Sequence, residues 1–246
     1  MNAPEPKAMA PKIDRAERLE RVAAALRDPV CARLVRGAAG RRLLGALQNS
    51  VLWREGKEVP RSLLVSSVVP REGRSTVAAA LALLVAAVEP EMRVLLVEAD
   101  PFSASLAQRT GIGDGPGLFD YLEGMLPDPL ALARPWGLDN LAVVCGAEAA
   151  DGQPRRLVAR RLAEFRATAE AHYDLVIYDG PAHAMGGDAV TAARAVPSVL
   201  LLVQFRRAYR EQIQRFVAEL DLHGVDVVGA VLNRRVLPIP RWLYRG

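Results

Sequence analysis

From Arg61 onward the chain alternates short, unbroken apolar runs with helix-forming stretches, and this alternation limits the fold more than any other feature. The runs are SLLVSSV (62–68), RVLLVEA (93–99), LAVVCG (141–146), DLVIYD (174–179), SVLLLVQF (198–205) and VDVVGAVLN (225–233). Helical stretches lie between them at 75–88, about 155–171, 187–195 and 208–223. Strands that are apolar on both faces and joined by helices belong in a parallel sheet that is covered on each side. The expectation is an α/β domain over 61–235, in three layers, with a mainly parallel sheet flanked by helices. About half of the 246 residues are apolar, enough for a sizeable core.

The first sixty residues read differently. Residues 1–11 hold three prolines and no periodicity, the pattern of a flexible lead-in. Leu19, Val22 and Leu26 recur at helical spacing, and a second helical stretch, 30–53, carries arginines along one side. Those arginines are either a solvated face or a docking surface for an acidic partner or lipid headgroups. The formal charge of +4 is too small to argue for nucleic acid. Cys31 and Cys145 fit no metal spacing and suit a reducing compartment. The N-terminus has no signal-peptide core, and Val77 to Val88 is too short to span a bilayer, so a cytoplasmic location is expected.

The stretch SLLVSSVVPREGRST runs strand, turn, helix. That is the setting in which backbone N–H groups and a helix N-terminus surround phosphates. In such loops a lysine reaches the terminal phosphates and the next hydroxyl holds Mg²⁺. Here Pro70, Arg71, Glu72, Gly73, Arg74, Ser75 and Thr76 form the candidate phosphate loop, with Arg74 in the lysine position and Ser75 as the metal ligand. Val68 stands where the first glycine of the motif would be. Glu98 and Asp100 close one strand and Asp179 another. Carboxylates at the C-terminal ends of parallel strands face the edge where ligands bind. Glu98, Asp100 and Asp179 are thus candidate catalytic groups, and Asp100 and Asp179 candidate Mg²⁺ ligands. A single one of them would read as a helix cap; three beside this loop point to a nucleotide site.

The order of these features resembles the bacterial tyrosine kinases (BY-kinases) of the CpsD/CapB type, within the MinD/ParA-like P-loop ATPases. The family pattern P-G-E-G-K-S-T is matched by PREGRST, its D-x-D by EAD, and its D-T-P-P by DGPA. GPGLFDYLEG (115–124) is similar to the family's PGLSDYLxG, and GVDVVGAVLNR to GVxVLGVVLNR. The resemblance covers residues 61 to 235. It implies a three-layer P-loop NTPase fold that uses ATP and Mg²⁺, with Asn233 at the nucleotide base. It also implies work in capsule or exopolysaccharide assembly beside an inner-membrane chain-length regulator (co-polymerase), with self-association.

The departures from the family shape the expected activity. Arg74 replaces the lysine, and its planar fork is bulkier than an ammonium. Arg71 replaces a glycine; if that position needs a positive φ, the side chain is strained. Glu98 is one methylene longer than the aspartate it replaces. Phosphoryl transfer depends on positioning, so such shifts are costly. After Asn233 come thirteen residues with one tyrosine, Tyr244, in place of the family's tyrosine cluster, and no E-x-x-R-x-x-R motif is found in 30–53. The segment 236–246, with Trp242, Tyr244 and Arg241, suits either a peripheral membrane contact or a tail folded over its own domain. The reading is a degenerate, kinase-like regulator of polysaccharide polymerisation or export, peripheral to the inner membrane. The alternatives are an active ATP-dependent tyrosine kinase and a MinD/ParA-type positioning ATPase. The latter carries a further lysine early in the loop, where this chain has Val69.

Overall fold

The computed structural model describes residues 15–25, 29–47, 60–103, 105–112, 115–146 and 155–234. The arginine–aromatic tail and the proline-rich lead-in lie outside the described residues.

Six strands form where the apolar runs predict them. They are β1 (Ser62–Ser67), β2 (Val94–Glu98), β4 (Leu138–Val144), β5 (Leu175–Ala182), β6 (Ser198–Gln204) and β7 (Asp226–Asn233). A short strand, β3 (Arg134–Trp136), was not expected from the sequence; three residues around a proline give no period to read. The sheet order is β3-β4-β2-β5-β1-β6-β7. All neighbours run parallel except β3 against β4. Proline is tolerated in β3 because that strand is at the edge.

The helix α4 (Arg74–Val88) lies against one face of the sheet, and every residue from Val77 to Ala87 is buried. A helix that is apolar all round needs cover on its outer side as well. The cover comes from α1 (Arg15–Ala25), α2 (Pro29–Arg36) and α3 (Ala38–Leu47), which all contact α4. Val22, Cys31, Val35 and Leu44 join the same apolar cluster as α4. The N-terminal helices therefore complete the core on this face. The expected single helix over 30–53 is two helices across its described part, because the chain turns at Gly37. A Cβ at Gly40 would collide with the Leu34 carbonyl, so glycine is required for the close return.

The opposite face is covered by α7 (Ala159–His172), α8 (Asp188–Ala195) and α9 (Arg210–Leu222), which bury Phe165, Val190, Phe216 and Leu220. Two short helices, α5 (Ser105–Thr110) and α6 (Leu118–Leu122), follow β2. They are too short to show periodicity in sequence. No helix among the described residues is long and apolar enough to cross a membrane.

Candidate functional site

The parallel sheet brings the C-terminal ends of β1, β2, β5, β6 and β7 to one edge. There β1 turns through Val68–Gly73 into α4. Arg71 has φ 63° and Gly73 φ 98°. Gly73 adopts this left-handed backbone without cost, whereas a side chain at Arg71 costs about 1 kcal/mol. The strain expected at Arg71 is present. No side chain caps the start of α4, so its first N–H groups are left for a ligand.

Glu72 fixes the loop from within. It is fully buried, and its carboxylate accepts from the Val69 N–H at 3.2 Å and the Gln204 N–H at 2.7 Å. Asn233 donates from Nδ2 to the Glu72 carbonyl at 2.7 Å, and its Oδ1 accepts from the Arg234 N–H. Both ends of the Asn233 amide are thus engaged, and it straps the loop to β7. The strap passes so close to Gly73 that a Cβ there would sit 2.6 Å from Asn233 Nδ2.

Arg74 turns inward. Its Nη2 donates to Asp100 Oδ2 at 2.7 Å, Nη1 to Ser67 Oγ at 2.6 Å and Nε to the Gly180 carbonyl at 2.8 Å. Side-chain exposures of 9% and 5% place the Arg74–Asp100 pair out of water. Removing one partner of such a pair costs about 3–5 kcal/mol. The Gly180 carbonyl is within reach because β1 and β5 shift register between Val65 and Ser67. A Cβ on Gly180 would approach Leu64 Cδ1 to 2.5 Å, so any larger residue here would displace the buried Leu64 side chain.

The candidate acids separate into different environments. Asp100 has each oxygen engaged once, since its Oδ1 accepts from the Phe102 N–H at 3.0 Å. Asp179 has 0% exposure, and neither of its oxygens has a hydrogen-bond partner of ordinary geometry among the described residues. Burial raises its pKa to about 6, opposed by the nearby Ser75 hydroxyl and the Arg74 charge. Glu98 pairs in register with Asp179 across β2 and β5 but caps other elements. It accepts from Leu106 N–H at 2.8 Å, inside α5, and from Gly146 N–H at 2.9 Å. Burial lifts its pKa to about 7.

A cavity of about 710 Å³ opens over the loop. Pro70, Arg71, Gly73, Arg74, Ser75, Thr76 and Asp100 line it; Glu72, Glu98, Asp179 and Asn233 do not. The arginines Arg109, Arg207 and Arg234 complete a cationic wall that the sequence reading missed. The signal available was the arginine-rich QFRRAYR that leaves β6. The uncapped helix start, Ser75, Thr76 and the cationic wall fit a polyphosphate. Asp100 lines the cavity with each oxygen accepting one hydrogen bond, and Asp179, which is not among the lining residues, lies next to the Ser75 hydroxyl. No cluster of three or more His, Cys, Asp or Glu suited to a metal occurs among the described residues.

Comparison with known proteins agrees with this geometry. The chain is similar to MinD from Pyrococcus horikoshii OT3, solved with Mg-ADP, at 23% identity and a TM-score of 0.60 over 74% of this chain and 75% of that one. The fold is that of the MinD-like P-loop NTPases. The kinase domain of the Escherichia coli tyrosine kinase Etk matches at 25% identity and a TM-score of 0.62, over 73% of this chain and 71% of that one. In sequence, EpsB of Ralstonia solanacearum, assigned by its name to the tyrosine-protein kinases, is 33% identical over 175 residues, 70% of this chain. Etk of Escherichia coli K12 is 26% identical over 189 residues, 76% of this chain. The relatives of this chain are therefore bacterial tyrosine kinases. The chain spans about a quarter of the length of those curated relatives (26% of Etk and 22% of EpsB). No protein-family model matches the sequence.

Proposed function

We propose that this chain is a kinase-like nucleotide-binding domain in which phosphoryl transfer is slow or absent. It acts in exopolysaccharide or capsule assembly by binding a membrane co-polymerase partner. The observation that carries the reading is Arg74: the side chain at the lysine position is bonded to Asp100, Ser67 and Gly180 of its own domain. A kinase lysine must reach the transferred phosphates, and Mg²⁺ must bridge them. Here the cation at that position and the carboxylate it holds are committed to each other. Glu98, a candidate base, is committed to two backbone amides.

An active tyrosine kinase is the second reading, favoured by the uncapped α4 start and the retained Ser75 and Thr76. The two are separated by incubating the chain with ATP and Mg²⁺ and following phosphate release and phosphotyrosine by mass spectrometry. The expected result is ATP binding with neither product above background. Stoichiometric phosphotyrosine would overturn the proposal. Co-fractionation with a chain-length regulator in membranes tests the partner; a chain that stays entirely in the soluble fraction beside that regulator would remove it.

A further inference from the structure

We propose that the cavity over the phosphate loop binds the polyphosphate end of a nucleotide as the metal-free anion, with Arg74 supplying the positive charge beside Asp100 that a divalent ion would otherwise supply. The proposal rests on the nucleotide-binding reading above and specifies which form of the ligand that site takes.

The carboxylate that lines the cavity is already paired with a permanent cation. Mg²⁺ demands near-octahedral oxygen ligands, usually including a carboxylate. Asp100 is the only carboxylate among the described residues that line the cavity. Its Oδ2 accepts from Arg74 Nη2 at 2.7 Å and its Oδ1 from the Phe102 N–H at 3.0 Å. Freeing it would mean pulling a guanidinium from Ser67 Oγ and the Gly180 carbonyl as well. That would leave a buried charge without its partner. A guanidinium remains charged at every pH of interest, so the cation it provides is permanent.

The charge of the cavity wall favours the same ligand form. Arg71, Arg74, Arg109, Arg207 and Arg234 all line the cavity, with Arg74 offset by Asp100 and Arg109 acting on the buried Asp179. Among the described residues, the side chains of Arg71 and Arg207 form no hydrogen bond or ion pair. A free di- or triphosphate carries several negative charges that such a wall can neutralise, and guanidinium forks match phosphate oxygens in pairs. Once Mg²⁺ is bound, the same phosphates have lost two of those charges, and the ion itself would be repelled by the wall. Magnesium should therefore weaken binding here, on the order of tenfold, where a lysine-type loop needs it.

The test is calorimetric titration of the full chain with ATP, ADP and inorganic tripolyphosphate, each in excess Mg²⁺ and in EDTA. Binding in EDTA that equals or exceeds binding in Mg²⁺, with tripolyphosphate competing against ATP, is expected. Arg71→Ala and Arg207→Ala, both at exposed positions, should each weaken the EDTA affinity severalfold and flatten its salt dependence. Arg74→Lys should turn the preference toward Mg²⁺, because the shorter cation releases Asp100; if it fails to fold, the two surface variants still decide. Nucleotide binding that requires Mg²⁺ would overturn this inference and leave the nucleotide reading standing. An EDTA preference that Arg74→Lys leaves unchanged would overturn the role given to Arg74. A failure of tripolyphosphate to compete would overturn the polyphosphate as the recognised group. No nucleotide binding under either condition would overturn both the inference and the reading beneath it.

Discussion

Asn233, the last residue of β7, donates from Nδ2 to the carbonyl of Glu72 at 2.7 Å, a bond that spans 161 positions of sequence. It ties the phosphate loop to the far side of the sheet at the point where the loop backbone is left-handed. Asn233→Ala should destabilise the fold by about 1 kcal/mol, the usual net worth of such a bond. Urea unfolding measures the loss, and proteolysis should cut the variant faster near Arg71. Equal stability and equal protection would show that the strap does not hold the loop.

Arg71 offers a gain in place of a loss. Its φ of 63° is one that glycine adopts freely, and the side chain is exposed. Arg71→Gly should relieve about 1 kcal/mol of strain, partly cancelled by the added freedom of glycine in the unfolded chain. The midpoint of thermal unfolding is expected to hold or rise. A clear fall would mean that Arg71 contributes a contact outweighing its strain.

Glu98 predicts a pH dependence. Its pKa stands at about 7, against 4.5 for an ordinary glutamate, because burial disfavours the charge. Between these values the folded state keeps a proton that the unfolded chain has released. The associated stability is fully present below about pH 4.5 and is lost as the pH rises through 7, on the order of 2–3 kcal/mol. Denaturant titrations from pH 5 to 8 should show the decline, and Glu98→Gln should shrink it. If Glu98→Gln instead abolished nucleotide binding in a folded chain, Glu98 would belong to the site after all.

The N-terminal helices give a fourth test. Val35 in α2 has 0% exposure and packs into the cluster around α4. Val35→Ala should cost about 1–2 kcal/mol by removing buried methyl groups and leaving a cavity. A single, earlier unfolding transition is expected. An unchanged main transition would show that α1–α3 fold apart from the sheet.

The sheet was legible in the sequence because each central strand is apolar on both faces, and glycine, serine and aspartate at strand ends marked the edge that binds. That edge puts Asp100 beside the loop, where it bonds to Arg74. The destinations of Arg74 and Glu98 were not legible. A guanidinium's partners depend on where a bulge puts the Gly180 carbonyl, a tertiary fact with no local signature. Glu98 sits two residues before the site-facing Asp100, and the alternation of strand side chains does not say which buried amides will claim it. The break at Gly37 was missed because glycine is tolerated within a helical pattern, and only the approach of Gly40 to Leu34 makes a turn obligatory.

The central claim is that Arg74 is bound to its own domain and does not serve as the mobile phosphate-gripping cation of a kinase. Proton–nitrogen NMR of the Arg74 Nε–H, assigned by loss of its signal in Arg74→Lys, tests this most directly. The bond to the Gly180 carbonyl at 2.8 Å predicts one resonance that exchanges slowly with water and stays protected when ADP and Mg²⁺ are added. An Nε–H that exchanges freely in the unliganded chain, or loses its protection as nucleotide binds, would contradict the account.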